Sequence, residues 1–159
     1  MEDVAFKMQK RIISICVLLG LAVCAQAGLN KREAMYVGGT GPFPEGTVGK
    51  ISASDEKVFT FEYGGGTLTV PYERINQLEY GQKAGRRLGL AIAVTPAALL
   101  SKKRKHFLTV SYVNGRDRQQ ALVFELGKDI LRSTVASLQA RTGRKIEFQD
   151  EEARRSFGN

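Results

Sequence analysis

The sequence has little of the material from which most catalytic and metal-binding sites are built. It contains no Trp, one His and two Cys in 159 residues. A zinc site needs several Cys, His or carboxylate ligands, and nucleophilic catalysis needs a nucleophile beside a base. The single histidine, His106, follows four cations and has no second His or Cys to help it ligate a metal. We therefore expect neither a catalytic centre nor a bound metal or cofactor.

Carboxylate chemistry is the remaining catalytic option. Glu73 and Glu79 could in principle act as a general acid and a general base, as a glycosidase requires. However, Glu73 stands beside Arg74 in a predicted turn, and Glu79 alternates with apolar neighbours in a predicted strand. Solvated carboxylates of this kind are far more frequent than catalytic pairs, so the sequence predicts a protein that is not an enzyme.

The first 27 residues have the three parts of a secretory signal peptide. A basic start, an uncharged apolar stretch of twelve residues and a small-x-small cleavage pattern occur in Lys7–Arg11, Ile12–Val23 and Ala25–Ala27. We expect cleavage after Ala27 and export to the periplasm or the cell exterior. Residues 28–148 are then the folded domain, and residues 149–159 a charged, flexible tail.

Two alternatives to cleavage remain open. Retention as a transmembrane anchor would use Ile12–Ala27, whose sixteen residues fall short of the roughly 20 that span a bilayer. Lipid anchoring at Cys24 would require a lipobox, but bulky Val23 stands where a small residue is usual. Because Cys16 and Cys24 both precede residue 28, the predicted domain of residues 28–148 contains no cysteine and hence no disulfide.

The rest of the chain predicts one domain of short strands and a single helix. Its length of about 130 residues suits one hydrophobic core. Alternating apolar residues between turn signals predict seven strands, and the dipeptide Asn114-Gly115 predicts a tight hairpin turn. Apolar residues at helical spacing predict an amphipathic helix over Lys128–Thr142, ended by Gly143. The predicted strands are residues 33–37, 46–53, 57–63, 67–70, 75–82, 107–113 and 118–126.

Residues Thr67–Tyr80 (TLTVPYERINQLEY) resemble the "strand, I-P-x-x-x-I, strand" passage of bacterial pleckstrin-homology-like and GRAM-type domains. His106–Leu126 is similar to the long hairpin of those domains, and Lys128–Gly143 to their closing helix. The resemblance implies a mainly β, α+β fold: a small antiparallel barrel of six to seven strands closed by one C-terminal α-helix. It also implies a binding scaffold for lipids, peptides or other domains. An unrelated small barrel or sandwich with a terminal helix is the alternative. The loop Phe43–Thr47, where phosphoinositide binders carry cations, has no Lys or Arg, so no ligand residues are transferred.

One segment departs from a plain barrel. Leu88–Leu100 is a run of thirteen residues without a charge, and six cations flank it. If the run is exposed, its leucines could enter a membrane surface, where each nearby cation adds about 1 kcal/mol of attraction to anionic lipid. If it is buried, it belongs to the core and the cations are solvated. The candidate contact residues are Arg86, Arg87, Leu88, Leu90, Ile92, Leu99, Leu100, Lys102, Lys103, Arg104 and Lys105.

The sequence therefore predicts an exported binding or interaction module at the cell envelope. Its expected partner is an anionic membrane surface, contacted through the basic-apolar-basic segment, or an acidic envelope protein if the apolar run is buried. A small-molecule carrier or an enzyme is a remote alternative. Nucleic acid is not expected, because an exported protein meets little of it and the basic cluster contains no aromatic residue to stack on bases.

Overall fold

The computed structural model of the protein describes residues 33–83 and 105–158. The predicted signal peptide, the lipidation site at Cys24 and every candidate contact residue except Lys105 lie outside these ranges. The described chain forms eight strands, a short 3-10 helix and two α-helices. They are β1 (Ala34–Gly39), β2 (Val48–Ser52), β3 (Val58–Tyr63), β4 (Gly66–Pro71), the 3-10 helix (Tyr72–Arg74), β5 (Ile75–Gly81), β6 (His106–Val113), β7 (Gln119–Leu126), α1 (Lys128–Thr142), β8 (Ile146–Phe148) and α2 (Glu151–Gly158).

The strands form one sheet in the order β4-β3-β2-β1-β7-β6-β5-β8. Two antiparallel meanders, β1–β4 and β5–β7, are joined through the pairing of β1 with β7. This confirms the mainly β, α+β class. The predicted barrel of six to seven strands closed by one helix is wrong: the sheet is open, with β4 and β8 at its edges, and a second helix follows the first.

The eighth strand arises from the way α1 ends. Gly143 adopts a left-handed conformation (φ 68°), and its N–H donates to the carbonyl of Gln139. Glycine takes this conformation without the steric cost that other residues meet. The chain then reverses, and Ile146–Phe148 pairs in parallel with β5. A segment too short to predict as a strand is thus added to the sheet edge.

The sheet curls around a single hydrophobic core. Phe61 on β3 and Phe124 on β7 lie three strand positions apart, which would separate them by roughly 14 Å in a flat sheet. Their ring centroids are only 4.9 Å apart. Both rings belong to a buried cluster that also includes Leu131, Val135 and Leu138 of α1. The helix prediction is confirmed at both ends, and it is this helix that fills the concave side.

The β6–β7 hairpin is confirmed, but its turn differs from the prediction. A tight Asn114-Gly115 turn would place positive φ angles on those two residues. Instead, Asp117 carries the positive φ (54°), and the Asp117 N–H donates to the Asn114 carbonyl at 3.0 Å. The Asn114 side-chain oxygen also accepts the N–H groups of Arg116 and Arg118. The asparagine therefore organises a longer loop through its side chain.

The prediction that residues 149–159 lack regular structure is wrong for Glu151–Gly158, which form α2. Asp150 caps this helix, because its carboxylate accepts the Ala153 N–H at 2.8 Å. Glu151 and Glu152 in the first turn suit the positive end of the helix dipole. Ala153 is fully buried, and with Ser156 and Phe157 it forms the stripe that faces the sheet. The charged residues occupy the solvent side of a helix that packs on the domain.

Candidate functional site

The candidate contact residues from Arg86 to Lys105 form the predicted membrane-contact surface, and Lys105 is the one among them that the structure describes. The Lys105 ammonium forms an ion pair with Glu125 at 2.8 Å, and the two side chains are only 26% and 13% exposed. This cation is therefore already engaged within the domain. The other ten candidate residues lie outside the described residues.

The chain leaves the sheet at the end of β5 and re-enters it at the start of β6. Gly81 at the end of β5 pairs with Phe107 at the start of β6, so the two ends of the intervening segment emerge side by side. The Gln149 side chain is 7% exposed; its Nε2 donates to the Lys83 carbonyl at 2.7 Å, and its Oε1 accepts the Lys83 N–H at 3.4 Å. This amide holds Lys83 next to the start of α2.

A partly buried polar network joins the neighbouring residues Tyr80 and His106 to Ser156. The Tyr80 hydroxyl is 2.6 Å from His106 Nδ1 and 2.9 Å from Ser156 Oγ. With the ring proton on Nε2, the tyrosine hydroxyl donates to the histidine and accepts from the serine. Burial lowers the pKa of His106, and the nearby charge of Lys128 lowers it further. Both effects favour the neutral imidazole, the form in which Nδ1 can accept the tyrosine proton.

This network is structural in its geometry. A serine nucleophile needs direct contact with its base, but the Tyr80 hydroxyl stands between Ser156 and His106, and Tyr80 is fully buried. Burial also raises the pKa of Tyr80, which opposes loss of its proton. The network ties α2 to strands β5 and β6. His106 begins β6 and is partly buried.

The two carboxylates considered for acid–base catalysis have different surroundings. Glu73 lies exposed in the 3-10 helix, whereas Glu79 on β5 is only 4% exposed. Among the described residues, no group of three or more His, Cys, Asp or Glu side chains is arranged to hold a metal.

A groove between β2 and α1 is a concave surface formed by the described residues. Its volume is about 380 Å³. Strand β2 pairs with β1 only at Val48 and Gly49, so the rest of β2 continues past the described start of β1 and runs beside α1. The lining residues are Lys50, Ile51, Ser52, Ala53, Ser54, Ile130, Ser133, Thr134 and Ser137.

Hydroxyl groups dominate the groove. On the helix side they come from Ser133, Thr134 and Ser137, which follow Ile130 at the three- and four-residue spacing of one helix face. The hydroxyls of Thr134 and Ser137 form no hydrogen bond with any other described residue. They are therefore available to a ligand as donors and acceptors.

Positive charge is present at both sides of the groove. Lys50 is an exposed lining residue. Arg141, one turn beyond Ser137 on α1, places its guanidinium 3.4 Å from the carbonyl oxygen of Ser54. The neighbouring Asp55 carboxylate accepts the N–H groups of Lys57 and Val58, which lowers its pKa. The arrangement provides hydrogen-bonding groups, a small apolar floor at Ile51 and Ile130, and two cations.

This groove was not among the sites predicted from the sequence. The helix stripe of Ile130, Ser133, Thr134 and Ser137 was a usable signal, because it places three hydroxyls on one face beside the apolar stripe. The approach of β2 to that face depends on the curl of the sheet, which no local pattern reports.

Comparison with protein-family models and with curated proteins finds no match to this chain. In residues 33–83 and 105–158, neither helix has the length and apolar character needed to cross a membrane.

Proposed function

We propose that the protein is an exported, non-enzymatic interaction module of the pleckstrin-homology-like type, and that it binds an extended acidic segment of an envelope protein in the β2–α1 groove. The groove carries the proposal, since it combines a volume of about 380 Å³ with hydroxyls from both sides and an exposed lysine. The two joined meanders followed by α1 support the resemblance to such domains. The added strand β8 and helix α2 extend that plan.

The shape of the groove favours an extended ligand. One wall is formed by Lys50–Ser54 and the other by one face of α1, so the groove runs between a strand and a helix. A peptide that lies along it would place its side chains between these two walls. Ser133, Thr134 and Ser137 would then provide hydrogen bonds along the other wall.

Charge favours an acidic ligand. Lys50 and Arg141 lie at the groove, and the whole chain carries a formal charge of +8. Charge complementarity of this kind raises the association rate and selects against basic partners. Lys105, the one described member of the predicted membrane-contact surface, is paired with Glu125, so the groove is the better supported contact.

The test is titration of the protein with a fluorescein-labelled peptide of alternating Glu and Ser, followed by fluorescence anisotropy at low salt. We expect saturable binding, and no binding of the matching Lys–Ser peptide. Lys50→Glu should weaken binding by about tenfold or more, equivalent to ~1.4 kcal/mol. Arg116→Glu makes the same charge change on the exposed β6–β7 loop and should leave the affinity within about twofold, because exposed charges at a distance are screened.

The proposal fails if the acidic peptide does not bind, or if both substitutions weaken binding equally, since the attraction would then be diffuse. Sedimentation with anionic and neutral liposomes runs in parallel. Strong binding to anionic liposomes that Lys50→Glu does not change would instead favour membrane contact through another surface.

A further inference from the structure

Strand β4 is an exposed edge of the sheet. It pairs with β3 on one side, and within residues 33–83 and 105–158 no strand pairs with its other side. The side chains of Thr67 and Thr69 are exposed, whereas Ala121 and Val123 at the centre of the sheet are 0% exposed. An exposed edge strand presents N–H and C=O groups that can pair with another chain.

The β3–β4 hairpin determines which of these groups point outward. Tyr63 and Gly66 are partners on either side of the two-residue loop Gly64-Gly65, so they form a hydrogen-bonded pair. Hydrogen-bonded and non-hydrogen-bonded pairs then alternate along the two strands. Every second residue of β4 therefore bonds to β3, beginning with Gly66, and the main-chain groups of Thr67 and Thr69 point away from the sheet. No other described residue forms a hydrogen bond with these groups.

This edge lacks the features that usually prevent pairing between chains. Edge strands of natural proteins are protected by charged side chains, by proline, by bulges or by a covering element. Strand β4 contains no charged residue in its sequence GTLTVP, and its register with β3 is continuous. Its one proline, Pro71, is the last residue, so the outward N–H groups of Thr67 and Thr69 remain.

The strand is also complementary to itself. If two copies pair antiparallel about Leu68, Thr67 of each copy lies opposite Thr69 of the other, as a two-fold axis requires. Each of these pairs can exchange both of its N–H···O bonds. The two Leu68 side chains then face each other in a non-hydrogen-bonded pair, where side chains approach closely. Leu68 is partly buried against the core, so this contact would cover its remaining apolar surface.

The charges on the neighbouring strands are compatible with this pairing. Lys50 on β2 lies opposite Glu62 on β3, and Glu62 lies opposite Thr67. In the second copy, Thr69 lies opposite Thr60 of β3. From β2 of one copy to β3 of the other, a row of side chains thus contains Lys50 beside Glu62 and otherwise threonines. Cross-strand threonine pairs and opposite charges stabilise a sheet, whereas like charges opposite each other would destabilise it.

We propose that the exposed edge of β4 binds a second copy of this chain, by antiparallel pairing of the two β4 strands with Leu68 on the two-fold axis. The six residues of β4 are far fewer than the roughly 20–30 residues per side of a standard interface. The dimer is therefore weak, and its population depends on protein concentration. This inference is independent of the proposed function, because no residue of β4 lines the groove.

Sedimentation equilibrium of the full chain, at concentrations up to about 1 mM, tests the proposal. We expect a monomer–dimer equilibrium. Thr69→Pro removes an outward N–H and no bond to β3, as proline permits on an edge strand, and should raise the dimer dissociation constant about tenfold or more. Thr69→Val keeps this N–H and should leave the constant within about threefold.

A chain that stays monomeric at every concentration would overturn the proposal. So would a dimer that Thr69→Pro does not weaken, because another surface would then form it. Equal weakening by Thr69→Pro and Thr69→Val would also overturn it, since the contact would then depend on the side chain and not on main-chain pairing.

Charge reversal gives a second measurement that needs no proline. A chain with Thr67→Lys and Thr69→Lys places like charges opposite each other in the dimer and should not self-associate, and the same holds for Thr67→Glu with Thr69→Glu. An equimolar mixture of the two chains should form heterodimers. Both sites are exposed, so the circular dichroism spectrum of each chain should be unchanged.

The control places the same charges at Ala136 and Ala140, which are exposed on α1. A mixture of these control chains should associate no more than the wild type does. If the mixture with charges at positions 67 and 69 does not associate, or if the control mixture associates as strongly, β4 is not the dimer surface and the proposal is wrong.

Discussion

Replacing Tyr80 by Phe removes one buried oxygen atom while leaving the aromatic packing in place. The ring lies between strand and helix, with centroids 5.2 Å from Phe157 and 6.2 Å from Phe148. The hydroxyl contacts His106 Nδ1 and Ser156 Oγ. The substitution therefore isolates the polar link between α2 and the sheet.

The expected loss follows from these two contacts. Each net hydrogen bond contributes about 0.5–1.5 kcal/mol, and a polar group left unsatisfied in the interior costs about 1–3 kcal/mol. His106 and Ser156 are only partly buried, so water can compensate in part, and we expect a loss of about 2 kcal/mol in the free energy of unfolding. With an unfolding entropy of about 2.1 cal/mol/K per residue over about 130 residues, the Tm should fall by roughly 7 °C.

Urea unfolding and thermal unfolding, both followed by circular dichroism, measure this loss. Tyr63→Phe is the matched control, because the Tyr63 hydroxyl makes no hydrogen bond with another described residue, and its effect should stay within about 0.5 kcal/mol. If Tyr80→Phe costs no more than this control, the network does not hold α2 on the domain and our reasoning is wrong.

Three further predictions concern pH, backbone conformation and core packing. Because folding lowers the pKa of His106 from its ordinary value of 6.5, the unfolded chain binds a proton more readily than the folded one. The free energy of unfolding should therefore fall as the pH drops through that value. His106→Gln should make the urea midpoint less dependent on pH between about pH 7.5 and 5.5, where His is the side chain that ordinarily titrates. An unchanged wild-type midpoint across this range would contradict the assignment. Gly39→Ala should destabilise the protein by about 1–3 kcal/mol in urea unfolding, because Gly39 has φ 125° and an added Cβ would collide with the Ala121 carbonyl. The pairing of β1 with β7 shifts register between Tyr36 and Gly38, and a neutral effect would mean that this irregular end of β1 rearranges easily. Phe61→Ala should cost about 3–5 kcal/mol in the same assay, since Phe61 is fully buried, and a loss below about 1 kcal/mol would show that the aromatic core is loosely packed.

Local patterns in the sequence predicted the elements whose signals are self-contained. The α1 helix shows apolar spacing, a first-turn Asp129 and a terminal Gly143, and all three agree with the structure. The strands were found because alternation and turn residues are independent of distant parts of the chain. The α2 helix was missed because its eight residues bury only a short stripe, of which Ala153 is the fully buried member, and charge obscures that stripe.

Features that depend on the path of the whole chain could not be predicted in this way. The groove exists because sheet curvature brings Lys50–Ser54 next to the hydroxyl face of α1. The eighth strand exists because a left-handed Gly143 returns three residues to the β5 edge. One signal was available and was underused: Ala121–Phe124 is a continuous apolar run, which is typical of a strand buried on both faces.

The most direct test of the proposed function is NMR chemical-shift mapping of the 15N-labelled chain from Gly28 to Asn159, titrated with the alternating Glu–Ser peptide. If the β2–α1 groove is the binding surface, the largest shifts should fall on Lys50–Ser54 and Ile130–Ser137, which line it. Amides of the β6–β7 loop, near Arg116, should stay unchanged. Shifts concentrated at Lys83 and Lys105 instead, or saturation without any change along α1, would contradict the account.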